Sequence, residues 1–122
     1  MLLTNQNIYN YATTLNAAFA DTSQRLPVKV NFYLQKNKSL LIQMAQDIEK
    51  ARLEIIQNYG DLSEDGTQYI IPKEKIEAAQ QELTDLLALE QNVNIYTINI
   101  DSLNDDLTLT TGQMEAIMFM ID

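Results

Sequence analysis

A mostly helical α+β fold is predicted, built on a long, coiled-coil-like antiparallel helical hairpin with a small antiparallel β element and a C-terminal helix. Three observations predict it. Val30, Leu34, Asn37, Leu41, Met44, Ile48, Ala51 and Ile55 follow an unbroken 4,3,4,3 spacing, the pattern of a coiled-coil seam. Ser63-Glu64-Asp65-Gly66-Thr67 is a strong turn signal, because Asp-Gly readily supplies the positive backbone angles of a tight turn. Val93 to Ile100 is rich in β-branched residues, which fit a pleated, partly covered surface. A chain of 122 residues with 46% hydrophobic content is long enough for one core and too short for two, so a single domain over 1–122 is expected.

The first helix is read from Thr4, a good N-cap residue, to about Ala20, with Ile8, Tyr11, Ala12, Leu15, Ala18 and Phe19 on one stripe. Asp21-Thr22-Ser23-Gln24 breaks that pattern, and Pro27 suits the first turn of the second helix, where its missing N–H costs nothing. That helix runs to Asn58-Tyr59-Gly60, with Gly60 placed to adopt a left-handed, helix-closing conformation. Its length is roughly 50 Å at ~1.5 Å per residue, more than one small domain covers. A third helix, from Pro72 to about Glu90 with Ile76, Ala79, Leu83, Leu86 and Leu87 at helical spacing, is expected to run antiparallel to it but fills only half the seam. The remainder implies the first helix or another subunit, which favours a homo-oligomer joined through Val30, Leu34, Asn37, Leu41, Met44 and Ile48. Asn37 is the polar member of that seam, where an amide either specifies register by pairing with another amide or marks a helix position at the edge of the packed region.

Tyr69-Ile70-Ile71 reads as a short strand after the turn, Val93–Ile100 as a longer one with Tyr96, Ile98 and Ile100 on one face, and Leu107–Leu109 as another. Thr110-Thr111-Gly112-Gln113 forms a capping box for a final helix. The residues of that helix, Met114, Ile117, Met118, Phe119, Met120 and Ile121, are almost all apolar and call for burial. The three methionines read as core packing, with an adaptable binding surface as the alternative.

Composition excludes several activities. With no histidine and no cysteine, zinc hydrolases, thiol enzymes, Ser-His-Asp enzymes and most redox centres are removed. The three glycines, Gly60, Gly66 and Gly112, lie too far apart for a phosphate-cradling loop. Neither Glu64/Asp65 nor Glu74/Glu77 is placed in a pocket by anything in the sequence, so no enzyme, cofactor or metal is expected. Asp101, Asn104, Asp105 and Asp106 lack the glycine and terminal glutamate of a calcium loop and read as a solvated turn. Leu2-Leu3 is followed at once by polar residues, so neither a signal peptide nor a membrane span is expected, and the location predicted is cytosolic.

Charge falls in two blocks. Residues 1–75 hold all eight basic residues against eight acids, and residues 76–122 hold nine acids and no base, which accounts for the net charge of −9. The last third repels a nucleic-acid backbone, so direct nucleic-acid binding is not expected. Glu77, Glu82, Asp85, Asp101, Asp105 and Asp106 are read either as a solvated face or as an acidic docking face for a basic partner. Tyr9, Tyr11, Phe32 and Tyr33 interleave with Arg25, Lys29, Lys36 and Lys38. This is the one region fit for stacking a base or holding an anion, and snorkelling lysines over a helix–helix contact give the same pattern.

Leu26-Pro27-Val28-Lys29-Val30 opening the long helix, Asn58-Tyr59-Gly60 closing it and the Asp65-Gly66 turn are followed by Leu83–Leu87 leading into Val93-Asn94-Ile95-Tyr96. With Glu115-Ala116-Ile117-Met118-Phe119-Met120-Ile121 at the end, this order resembles a family of small uncharacterised proteins from phages and prophages of low-GC Gram-positive bacteria. The resemblance spans nearly the whole chain but carries no chemical motif. It implies a small phage-encoded α+β protein without catalytic residues. It further implies an accessory protein that binds and blocks a host factor, including a defence nuclease, or alternatively an oligomeric structural or assembly protein of the virion.

Overall fold

The computed structural model describes residues 1–21, 24–99, 101 and 109–122. It has the mostly helical α+β architecture that the sequence predicts. A short strand β1 (Leu2–Thr4) enters helix α1 (Asn5–Ala18), whose N-cap is Thr4: the Thr4 hydroxyl accepts a hydrogen bond from the Asn7 N–H at 3.1 Å. Ile8, Ala12 and Leu15 form the buried stripe of α1. Helix α2 (Val28–Tyr59) begins immediately after Pro27, which stands at the cap rather than inside the first turn.

At the far end of α2 the structure corrects the expectation for Gly60. Its backbone is extended (φ −98°, ψ 157°), because the chain passes straight into strand β2 (Asp61–Leu62) with no left-handed residue between. Glycine is required there for space instead. A Cβ would lie 2.8 Å from the Ile56 carbonyl oxygen and 3.2 Å from the Tyr69 Cβ. Gly60→Ala is therefore expected to lower stability by about 1–3 kcal/mol through overpacking, measured as an earlier thermal unfolding transition.

Strand β3 (Tyr69–Ile70) pairs antiparallel with β2, Asp61 opposite Ile70 and Leu62 opposite Tyr69. The turn between them has the expected Asp-Gly chemistry, with Gly66 at φ +73°. Asp65 organises it: its carboxylate accepts from the Ser63 hydroxyl and from the Thr67 hydroxyl (2.8 Å) and N–H (3.1 Å). The Ser63 hydroxyl first, then the Thr67 donors, hold the Asp65 carboxyl below the ordinary carboxylate range. A lowered folded-state pKa contributes stability that is present above the unfolded value and lost as pH falls through the folded one. Asp65→Asn is accordingly expected to flatten the acid limb of a stability-versus-pH curve while leaving neutral-pH packing intact, which urea titration across that range measures.

After the hairpin a 3₁₀ turn (Lys73–Lys75) leads into helix α3 (Ile76–Ala88), which returns antiparallel along α2. Strand β4 (Glu90–Asn92) then pairs antiparallel with β1, Leu3 opposite Gln91, an element that the sequence reading omits. The strand expected over Val93–Ile100 does not form among the described residues. Ile95 N–H donates to the Val93 carbonyl at 3.0 Å, a γ-type reversal that breaks the alternation. Only Ile98 makes a parallel bridge, to Ile121. Ile100 and residues 107–108 of the other expected strand lie outside the described residues, and Leu109 is not in a strand.

Helix α4 (Thr111–Ile117) opens with the expected capping box of Thr110 and Gln113 and runs into a 3₁₀ turn (Met118–Met120). The core gathers Ile8 and Leu15 from α1, Leu34 and Leu41 from α2, Ile98, and Ile117 and Met120 from the last helical segment.

Candidate interaction surfaces

The seam read as a subunit interface is filled from inside the chain. Val30, Leu34, Asn37, Leu41 and Ile48 are buried and Met44 is half-buried within the one core, against α1, α3 and the α4 segment. The reason is that α1 and the chain after β4 stack on the same stripe of α2 that α3 leaves open. Among the described residues Asn37 meets no second amide. Its Nδ2 donates to the Tyr96 carbonyl at 2.9 Å and its Oδ1 accepts from the Tyr96 N–H at 2.8 Å, so one side chain imitates a strand partner. Nδ2 also lies 3.5 Å from the Met120 sulfur. Asn37 thus fixes register, but between α2 and the 93–99 segment of its own chain.

Gln113 plays a similar part at the other end of the core. It exchanges amide hydrogen bonds with Gln24 (3.0 and 2.7 Å) and donates to the Ala18 carbonyl at 2.9 Å, tying α4 to the α1–α2 junction. Met120 is fully buried and Met114 partly so, which makes them packing residues, whereas Met118 is exposed.

The described acidic residues come from separate elements. Glu77, Glu82 and Asp85 are exposed along α3, where Asp85 accepts from the Gln81 side chain at 2.9 Å. The Tyr59 phenol lies near Glu82 at the far end of α2; desolvation first, and then the neighbouring Glu82 carboxylate, push the phenol above its ordinary range. Asp101 follows the segment that Asn37 holds, and Asn37 and Tyr59 are about 33 Å apart at ~1.5 Å per helical residue. The α3 acids and Asp101 therefore sit at different levels of the molecule, while Asn104, Asp105 and Asp106 lie outside the described residues. Glu64, Asp65, Glu74 and Glu77 are all exposed.

The aromatic and basic cluster divides four ways. Tyr11 stacks on Phe119 with centroids 4.2 Å apart, a packing contact. Tyr9 lies near Glu49 and Arg52, whose guanidinium holds the Glu49 carboxyl below its ordinary range through a 2.9 Å hydrogen bond from Nε. Phe32 and Tyr33 remain on α2: Tyr33 stacks on Tyr96 (5.3 Å), Lys29 lies over Tyr33 (5.8 Å) and Lys36 over Phe32 (5.5 Å). Arg25 and Lys38 instead line a cleft of about 500 Å³ floored by Phe19, Leu26 and Leu34, with Asp21 on its rim. From residue 22 to residue 46 the sequence has four bases and no acid.

One surface was not anticipated. Beyond Ile48, α2, the β2–β3 hairpin and α3 project as an arm with little interior, since Ala79 is the only buried residue of α3. At its tip the opposed pair Leu62 and Tyr69 are exposed by 57% and 42%, and Ile70 by 56%. The sequence signal was Leu62 and Tyr69-Ile70 flanking a polar turn with no further strand near enough to cover them. No family model matches this chain, and no curated protein or solved structure is significantly similar to it.

Proposed function

We propose that the chain is a non-enzymatic, phage-encoded accessory protein of the host cytoplasm that works by binding another protein, sequestering or inhibiting a host factor. The observation that supports this reading is the arm tip. An isolated two-stranded hairpin with exposed Leu62, Tyr69 and Ile70 carries apolar surface and open strand edges, the features by which proteins recognise one another. The partner class it fits is a protein with an apolar groove or a receptive sheet edge.

Capture from host lysate, run in parallel with the wild type and a Leu62→Asp/Ile70→Asp variant, tests it. Both positions are exposed, and Tyr69 is left in place because it packs on Gly60. The expected result is a protein retained by the wild type at low and moderate salt and lost by the variant, with unchanged thermal melting. A wild type that retains nothing, or a retained protein indifferent to the two substitutions, overturns the reading.

A further inference from the structure

The buried seam of α2 leaves a second, outward stripe exposed about 130° around the helix at ~100° per residue. With 3.6 residues per turn, Lys29, Phe32, Lys36, Gln43, Asp47, Lys50 and Glu54 fall on one outer stripe, and all are exposed. This stripe has a charge order: Lys29 and Lys36 stand in its first half, and Asp47 and Glu54, with Lys50 between them, in its second. Seven residues separate the members of each pair. Among the described residues the one intrachain ion pair is Arg52–Glu49, so none of these four charges is neutralised by an ion-pair partner there.

We propose that this outer face of α2 is an antiparallel homodimer interface. A two-fold axis passing between the two α2 helices at the level of Leu41 and Ile42 sets Lys29 opposite Glu54 of the second copy and Lys36 opposite Asp47 of the second copy, in the same register. Symmetry repeats each pair, so an isologous contact satisfies every one of these charges. The same register brings Lys50 of the second copy to the level of the Phe32 and Tyr33 rings, which Lys36 and Lys29 already flank, and exposed Val28 beside exposed Leu53. A foreign acidic protein matches Lys29 and Lys36 but meets Asp47 and Glu54 with like charge. A second copy has the reversed charge order by construction.

The contact is modest. A helix of 32 residues is about 48 Å long, and a strip ~10 Å wide along it covers roughly 500 Å² per copy, near the lower limit for specific association. The dimer is therefore reversible and weakened by salt. It uses a different part of α2 from the arm tip and does not depend on the host-binding reading.

Light scattering over a dilution series at low and high salt tests it with two charge-reversed chains, Lys29→Glu/Lys36→Glu and Asp47→Lys/Glu54→Lys. The wild type is expected to be a dimer at low salt that dissociates on dilution and with added salt. Each reversed chain is expected to be monomeric, its dissociation constant raised by about 100-fold through like-charge contacts, with wild-type helix content by circular dichroism. An equimolar mixture of the two is expected to form a one-to-one heterodimer. A wild type that stays monomeric at every concentration, reversals that leave the dimer unchanged, or a mixture that stays monomeric would each overturn the proposal. The Leu62→Asp/Ile70→Asp chain should keep the wild-type mass, so failure of either reading is seen separately.

Discussion

Asn37→Leu is expected to destabilise the protein by about 2–4 kcal/mol, the cost of leaving a partly buried N–H and C=O without partners. The result is informative because a simple heptad argument gives the opposite sign: leucine at a seam position between Leu34 and Leu41 should improve packing. Leucine is close to asparagine in shape, so the change removes hydrogen bonds without opening a large cavity. The Asn37 amide is fully buried and holds both polar groups of Tyr96 at 2.8 and 2.9 Å. Urea unfolding measures the global effect, and faster hydrogen exchange at the Tyr96 amide locates it. A variant as stable as the wild type would show that the clamp contributes nothing to holding the 93–99 segment. Asn37→Asp is expected to be no better, since it keeps an acceptor for the N–H but sets a carboxylate against the Tyr96 carbonyl.

Leu41→Ala is the second large effect, at about 3–5 kcal/mol from lost transfer energy and an unrelaxed cavity. Leu41 has no exposed surface and lies in the cluster that joins α1, α2 and the α4 segment. For a chain of 122 residues at ~0.05–0.15 kcal/mol per residue, such a loss is a large share of the total. The same truncation at Ile55, on the same seam but half-buried in the arm, should cost well under half as much. Denaturant midpoints for the two variants would measure this gradient. Equal losses would mean that the arm is packed as firmly as the body.

The long helix was legible because its periodicity is local: the inward residues from Val30 to Ile48 could be picked out from spacing alone. Thr4 and the Thr110/Gln113 box marked helix starts within a residue, and Asp65-Gly66 marked the reversal, because caps and turns depend on a few adjacent side chains. What covers the seam was not legible. Spacing identifies an apolar stripe but not its occupant, and here the occupants come from both sides of α2 in sequence. Strand β4 is Glu-Gln-Asn, without β-branched residues, and exists because β1 presents an edge to it. The 93–99 segment has strand composition, yet at Tyr96 its backbone is satisfied by an asparagine side chain rather than a ladder, a tertiary choice that propensity does not encode. The acidic block was real as composition. Its arrangement in space was not legible, because sequence proximity does not say at what level α3 and Asp101 sit, and Asp105 and Asp106 lie outside the described residues.

The pairing of Asn37 with Tyr96 and Met120 also bears on how the chain is made. Asn37 and Met120 are 83 residues apart, and at ~5–20 residues per second a ribosome needs roughly 4–17 s to add the second after the first. During that interval the α2 stripe from Val30 to Leu41 has no α4 segment to cover it. The nascent chain thus passes through a stage in which part of the long helix's apolar stripe is open to chaperones or to neighbouring nascent chains. Yield in cells should then respond to translation speed and chaperone supply before it responds to the stability of the finished fold.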